Sequence, residues 1–409
     1  MTTDQPPAAD QAPRPGGLRL GRVLGVPVYL RYSWLLLAVV VVVLYAGVVD
    51  RMLPQLTAAG RYAFAVGFVL CLLLSVLLHE IGHALVARHY GIRVRAIMLE
   101  VLGGYTEMEN DSPHPRADLF VSSIGPIVSA VLGGTALVLF QVLPEDTVLS
   151  QLAFQLAWSN LIVAVFNSLP GLPLDGGRAL RALVWWVGGN RDSATQVAGW
   201  VGRALSLGLF GAGLLLTWTA SRVNFGLLVL LVLLAATIWQ GASLAIVQGR
   251  VAARVPLLRV RELTRPIVTV PTGTPLAEAA RRVAESGLAH AALAVSDGMG
   301  QVVALVHEES AAAVPPERRP WVPVDSVARS IGPGRVLAVE LSGEEVMQAV
   351  RAHPASSYLV VSGTEAVGVL RTADLARVLA PGRSGRGTRT RPVAAPKPRP
   401  GDAAEGGRS

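Results

Sequence analysis

From Ala63 to Leu78 the chain carries no charged residue, and this run ends directly on His79-Glu80-Ile81-Gly82-His83. Ionisable groups inside a membrane span cost about 2.5–3.5 kcal/mol each on insertion scales, so a cluster of them at the end of such a run needs a use. Histidines four apart stack on one face of a helix, with the glutamate one residue into the turn between them. That geometry suits a Zn²⁺ ion held by two imidazoles, with a carboxylate placed to take the proton of an attacking water. The pattern points to metalloprotease chemistry carried out inside a membrane.

The rest of the chain fits that setting. Hydrophobic residues make up 52% and charged residues 16% of 409, too few charges for a soluble chain of this length. Six stretches are long enough to cross hydrocarbon: Tyr32–Val49, Tyr62–Leu78 continuing to Ala87, Leu119–Pro144, Thr147–Leu174, Ala204–Ser221 and Val223–Gly249. The last two are parted by Arg222 and by turn residues from Thr219 to Asn224. Arginines gather before the first span (Arg14, Arg19, Arg22, Arg31), after the second (Arg88, Arg93, Arg95), between the fourth and fifth (Arg178, Arg181, Arg191, Arg203) and after the sixth (Arg250, Arg254). The bias predicts a multi-pass protein of the cell membrane with both termini cytoplasmic and His79 at the cytoplasmic end of its helix. The formal charge of +8 is mostly this bias plus the tail, so no nucleic-acid partner is read from it. The single cysteine, Cys71, sits in an apolar run and reads as packing.

Residues 1–17 are rich in Pro, Ala and Gly and read as disordered. Gly21 to Tyr29 reads as a short strand leading into the first span. Arg95 to Glu109 reads as a small β-hairpin turning on Gly103-Gly104. Either it simply connects two helices, or it offers a strand edge beside the site to which an unwound substrate pairs. From about Val255 the chain turns soluble, with two similar α/β units at 255–315 and 322–380. Each is expected to run strand, amphipathic helix, strand pair and closing helix, the first opening at Val260-Arg261-Glu262-Leu263. A basic low-complexity tail follows at 381–409.

Two histidines leave a catalytic zinc one protein ligand short, with the fourth position left to water. Asp175 is the best supplier. It follows Asn167-Ser168-Leu169-Pro170-Gly171-Leu172-Pro173-Leu174, where two prolines break the fourth helix. Topology puts it on the same side as His79 and His83, and Gly176-Gly177 allows close approach.

These motifs, in this order, resemble the site-2 protease family of intramembrane zinc metalloproteases, peptidase family M50. The resemblance covers roughly Arg22 to Gly249. It rests on His79-Glu80-Ile81-Gly82-His83, on Asn167-x-x-Pro170-x-x-Pro173-Leu174-Asp175-Gly176-Gly177, on the helix-packing stretch Gly125-Pro126-Ile127-Val128-Ser129, and on Gly103-Gly104. It implies one zinc per chain held by His79, His83 and Asp175, and Glu80 as general base and then acid. Asn167 either hydrogen-bonds substrate or satisfies backbone freed by Pro170. Arg31-Tyr32 stands where many relatives carry a histidine. The resemblance further implies a substrate that is a single-span membrane protein in the lipid bilayer: an anti-sigma factor, a precursor transcription factor or a signal-peptide remnant. The Ala/Arg/Gly/Val-rich usage looks bacterial.

The C-terminal units are similar to a pair of cystathionine-β-synthase (CBS) domains. Gly368-Val369-Leu370-Arg371-Thr372-Ala373-Asp374 is close to the closing signature of such a unit, with Arg371 in place of Thr/Ser. In the first unit Ala304, His307 and Ser310 replace the Gly, Thr/Ser and Asp of that signature. These departures argue against tight adenine-nucleotide binding and leave regulation or homodimer formation as the implied role. The fold class expected is thus an α-helical polytopic membrane protein of about six transmembrane helices, with a small β-hairpin near the active site, followed by a soluble α/β CBS-domain pair. The competing reading is a non-proteolytic membrane protein, a metal transporter or a silent relative. A transporter would spread ionisable residues along a path across several spans, whereas here they cluster at one end; a silent relative would lack a ligand or the base, and none is missing.

Overall fold

The computed structural model describes residues 17–380 apart from 101–102, 146, 220–224, 289 and 333. The N-terminal segment, the basic tail and the turn expected near residues 219–224 fall largely outside the described residues. The chain divides at Ala253/Arg254 into two units.

The first unit opens with β1 (Leu18–Val23) and β2 (Val26–Leu30), an antiparallel hairpin where the sequence reading had one strand. Leu24 and Gly25 turn it, both at positive φ (52° and 82°), the left-handed pair that a two-residue hairpin with native twist requires. Then come α1 (Tyr32–Met52), α2 (Ala58–His89), β3 (Val94–Glu100), β4 (Gly103–Met108), α3 (Pro115–Val142), α4 (Val148–Asn167), α5 (Asp175–Gly188), α6 (Arg191–Thr219) and α7 (Phe225–Ala252). Among the described residues, six helices are long and apolar enough to cross a membrane: α1, α2, α3, α4, α6 and α7. Their outer faces carry large apolar side chains, such as Leu36, Leu44 and Val142, each about 70% exposed. A water-soluble bundle would bury that surface; lipid is its natural solvent.

Local chemistry sets the helix boundaries. Thr57 and Thr147 cap α2 and α4 by accepting hydrogen bonds from Gly60 and Ser150 backbone N–H groups, and His114 with Pro115 starts α3. At 32 residues α2 is about 48 Å long, more than a bilayer core. His79 therefore lies about 15 Å before the C-terminal end of the helix rather than at its tip. The fifth span begins at Arg191, well before Ala204, because Arg203 is accommodated inside α6. Its guanidinium lies 4.9 Å from the ring centres of both Trp200 and Trp239 and donates to Ser243 Oγ.

The strands form one sheet in the order β1-β2-β3-β4, with β2 and β3 parallel and β4 at the edge. Its buried face (Val26, Val28, Leu30, Ile97, Leu99) packs on Ala84 and the Leu73, Leu77 and Ile81 side of α2. Glu100 pairs with Gly103, so Gly103-Gly104 lie within β4 as its first residues. Their small size serves the neighbouring helix, as shown below.

The second unit contains α8 (Val260–Leu263), β5 (Arg265–Pro271), α9 (Leu276–Glu285), β6 (Ala292–Ser296), β7 (Val302–Val306), α10 (Glu308–Ala312), β8 (Ala328–Ser330), β9 (Val336–Ala338), α11 (Gly343–Ala352), β10 (Ser357–Ser362), β11 (Glu365–Arg371) and α12 (Thr372–Leu379). The two halves repeat the same plan. One helical turn (α8, and a 3-10 turn at Val324–Val327) precedes the first strand of each, so Val260–Leu263 is helix rather than strand. All seven strands join in one sheet, β8-β7-β6-β5-β11-β10-β9, whose centre is the β5–β11 pairing of the two halves.

Candidate metal centre

His79 and His83 face α3 and the start of α5 from adjacent turns of α2, buried at 5% and 3% exposure. His79 Nε2 and His83 Nε2 lie 3.2 Å apart. Asp175 Oδ2 lies 3.1 Å from the first and 3.2 Å from the second. Three ligands about 2.0–2.1 Å from one tetrahedral ion would stand about 3.3 Å apart, so this triangle has the dimensions of a zinc site.

Proton placement gives an independent test of fit. His83 Nδ1 lies 2.6 Å from the Val121 carbonyl, which can only accept; Nδ1 therefore carries the hydrogen, and the neutral ring's Nε2 turns a lone pair inward. His79 Nδ1 has Ser129 Oγ at 2.9 Å as its partner. Two imidazole nitrogens and a carboxylate oxygen converging on one point form a donor set for a borderline divalent cation.

Each of these three side chains is held from behind. Helix α3 supplies Val121 and Ser129 and opens a gap at Gly125, where a Cβ would fall 2.3 Å from His83 Nε2 and 2.5 Å from His79 Nε2. Gly82 lets α3 approach, since a Cβ there would already meet Val128 at 3.1 Å. Gly125-Pro126-Ile127-Val128-Ser129, read in the sequence as packing, thus also orients both histidines.

Asp175 is the first residue of α5, a 14-residue helix that follows the proline-broken loop. Two devices fix that helix. Arg181 forks onto Asp118 of α3, with Nε to Oδ2 at 2.9 Å and Nη2 to Oδ1 at 2.7 Å; Asp118 is fully buried and also accepts from Ser112 Oγ. The preceding loop is seated on α6 and α7. Leu172 N–H donates to the Ala198 carbonyl, a Cβ on Gly202 would fall 2.2 Å from the Leu172 carbonyl oxygen, and one on Gly241 would meet Pro173 Cγ at 2.5 Å.

Glu80 is 4% exposed and has a carboxylate oxygen within 4.8 Å of an imidazole nitrogen of each histidine. One of its oxygens, Oε2, accepts from Thr106 Oγ1 at 2.8 Å. Asn167 is the last residue of α4, half-buried, and its side chain makes no hydrogen bond among the described residues. Ser129, Thr106, Gly125 and the Val121 carbonyl were not singled out as site groups from sequence. Only their places in the folded chain give them that role.

Comparison with known proteins identifies the family. The model of peptidase family M50 matches residues 67–156 and 143–209, and the CBS domain model matches residues 260–314. Rip3 of Mycobacterium tuberculosis is 30% identical over 376 residues, 88% of this chain and 92% of that protein. The protein sll0528 of Synechocystis is 34% identical over 199 residues, and the match spans 52% of its length. The solved site-2 protease from Methanocaldococcus jannaschii is 28% identical, with a TM-score of 0.40, covering 56% of this chain and 95% of that one. The chain belongs to peptidase family M50: it is a membrane-spanning metalloprotease that carries a CBS domain.

Proposed function

We propose that this protein is a zinc-dependent intramembrane endopeptidase that cuts a transmembrane segment of another, single-span protein. The observation that carries the reading is the buried triangle of His79, His83 and Asp175 with Glu80 beside it, about 15 Å inside a spanning helix. His79, His83 and Asp175 hold the zinc. Bound there, the ion supplies Lewis acidity, drawing the pKa of water toward ~7 and polarising the scissile carbonyl. Glu80 takes the water's proton and returns it to the leaving amine, so no covalent acyl intermediate is needed. Asn167, with an amide free to donate, hydrogen-bonds the substrate backbone near the scissile bond.

Residues 18–249 form the protease domain, and 255–315 and 322–380 the CBS pair. Both termini are cytoplasmic, as the arginine bias requires. A bacterial anti-sigma factor or signal-peptide remnant fits the substrate class. The pair serves regulation or dimer contacts rather than tight nucleotide binding. In the cleft lined by His307, Arg371 and Thr372, Arg371 is ion-paired to Glu308. Asp374 is occupied by a bidentate contact from Arg265.

Reconstituted full-length protein and a model single-span substrate test the reading. Glu80→Gln is expected to keep stoichiometric zinc and lose nearly all cleavage, because the ligands survive and the proton carrier does not. Activity within about tenfold of wild type would place the base elsewhere.

A further inference from the structure

Glu80 projects from α2, yet the groups that fix its carboxylate lie on β4. Thr106 Oγ1 stands 2.8 Å from Glu80 Oε2 and 3.2 Å from the Glu80 backbone carbonyl. A hydroxyl has one proton to give, and the shorter contact is to the carboxylate, the stronger acceptor. Two positions along the strand, on the same face, Gly104 has no side chain to offer. A Cβ there would fall 2.6 Å from Glu80 Cγ and 2.9 Å from both Cδ and Oε1. The glycine opens a slot for the glutamate stem and the threonine closes on its tip. Oε2 is thereby engaged and Oε1 is left for a proton.

The strand that makes this clasp is the last in its sheet. Tyr105, between the two clasp residues on the opposite face, is exposed. An edge strand presents backbone donors and acceptors to any extended segment laid beside it.

We propose that Thr106 is a positioning residue for peptide hydrolysis: its hydroxyl holds the Glu80 carboxylate in the orientation that receives the water's proton, and the Gly104 gap makes that orientation sterically accessible. This inference rests on Glu80 being the base.

Two near-isosteric replacements separate the hydroxyl from the shape. Thr106→Val keeps the branched side chain and removes the donor; Thr106→Ser keeps the donor. Both are measured in the full-length protein reconstituted in vesicles with a model single-span substrate. Zinc content and thermal melting are expected to match wild type in both. In Thr106→Val, kcat is expected to fall about 10- to 100-fold with KM unchanged, the size of a lost hydrogen bond to a charged group. Thr106→Ser should stay within about threefold of wild type. Adding Thr106→Val to Glu80→Gln should cost nothing further, since the clasp acts only through the carboxylate.

Wild-type kcat in Thr106→Val overturns the proposal, and so does an equal loss in Thr106→Ser. A loss accompanied by missing zinc or a lowered melting temperature overturns it as well, because the threonine would then be structural. Retained activity in Glu80→Gln alone is a different failure: it removes the base assignment itself, whatever Thr106→Val shows.

Discussion

Gly125→Ala adds one methyl group in the middle of α3, yet it should remove the metal. The new Cβ would lie 2.3 Å from His83 Nε2, 2.5 Å from His79 Nε2 and 2.7 Å from His83 Cε1. Ordinary contact between such atoms is about 3.5 Å, so both rings must retreat by roughly 1 Å. They have no free direction in which to go. His83 is tied through Nδ1 to Val121 and His79 through Nδ1 to Ser129, both on the helix that carries the new methyl. Metal–ligand distances tolerate only about ±0.2 Å, so a shift of this size breaks coordination rather than loosening it.

Losing a group that merely orients a ligand costs about 10- to 100-fold in metal affinity. Displacing two of three ligands should exceed that, leaving the purified variant essentially free of zinc and reducing cleavage at least 100-fold. Elemental analysis against protein concentration, beside circular dichroism of the same sample, makes the measurement. Alanine favours helix over glycine by about 1 kcal/mol, so helicity should not fall. A Gly125→Ala protein with full zinc and wild-type turnover would show that the histidines do not converge beside α3, and the site as described would be wrong.

Two further outcomes follow from the same geometry. Asp175→Ala removes one of three protein ligands and should lower zinc occupancy together with activity; full zinc in that variant would mean that another residue completes the site. Arg181→Met leaves the fully buried Asp118 without its bidentate partner, a loss of about 3–5 kcal/mol. It should reduce thermal stability and, because α5 carries Asp175, zinc occupancy too; an unchanged melting temperature would remove the pair from the account of how α5 is placed.

What the sequence shows and what it hides divides by locality. Charge-free runs of about 20 residues reveal spans because every residue of a run meets the same solvent, and His79/His83 are legible because four residues make about one helical turn. Asp175 could be found from the Pro170/Pro173 break and from topology. The α5 helix is hard to read from sequence because Gly176 and Gly177, in its first turn, are poor helix formers. In the fold, both glycines are needed for packing: a Cβ on Gly176 would fall 2.3 Å from the Ser168 carbonyl oxygen, and one on Gly177 2.1 Å from the Gly171 carbonyl carbon. The β1–β2 hairpin was missed because leucine is a rare choice at positive φ, and Leu24 has it. Thr106 and Ser129 lie 26 and 50 positions from the residues they orient, and no spacing rule reaches that far.

Charge balance explains why so many groups are spent on positioning. With both imidazoles neutral, Asp175 and Glu80 bring two negative charges into a pocket where each is largely removed from water. A divalent cation cancels them; without it, protons taken up by the imidazoles or a carboxylate must do so. Under the proposed assignment the ion, the two histidines and the two carboxylates offset one another's charge in a buried pocket. Such a site cannot rely on water to adjust a misplaced ligand. Its precision has to come from the protein, and α3 supplies most of it, with Val121 and Ser129 on the rings, Gly125 between them, and Asp118 holding the helix that carries the third ligand.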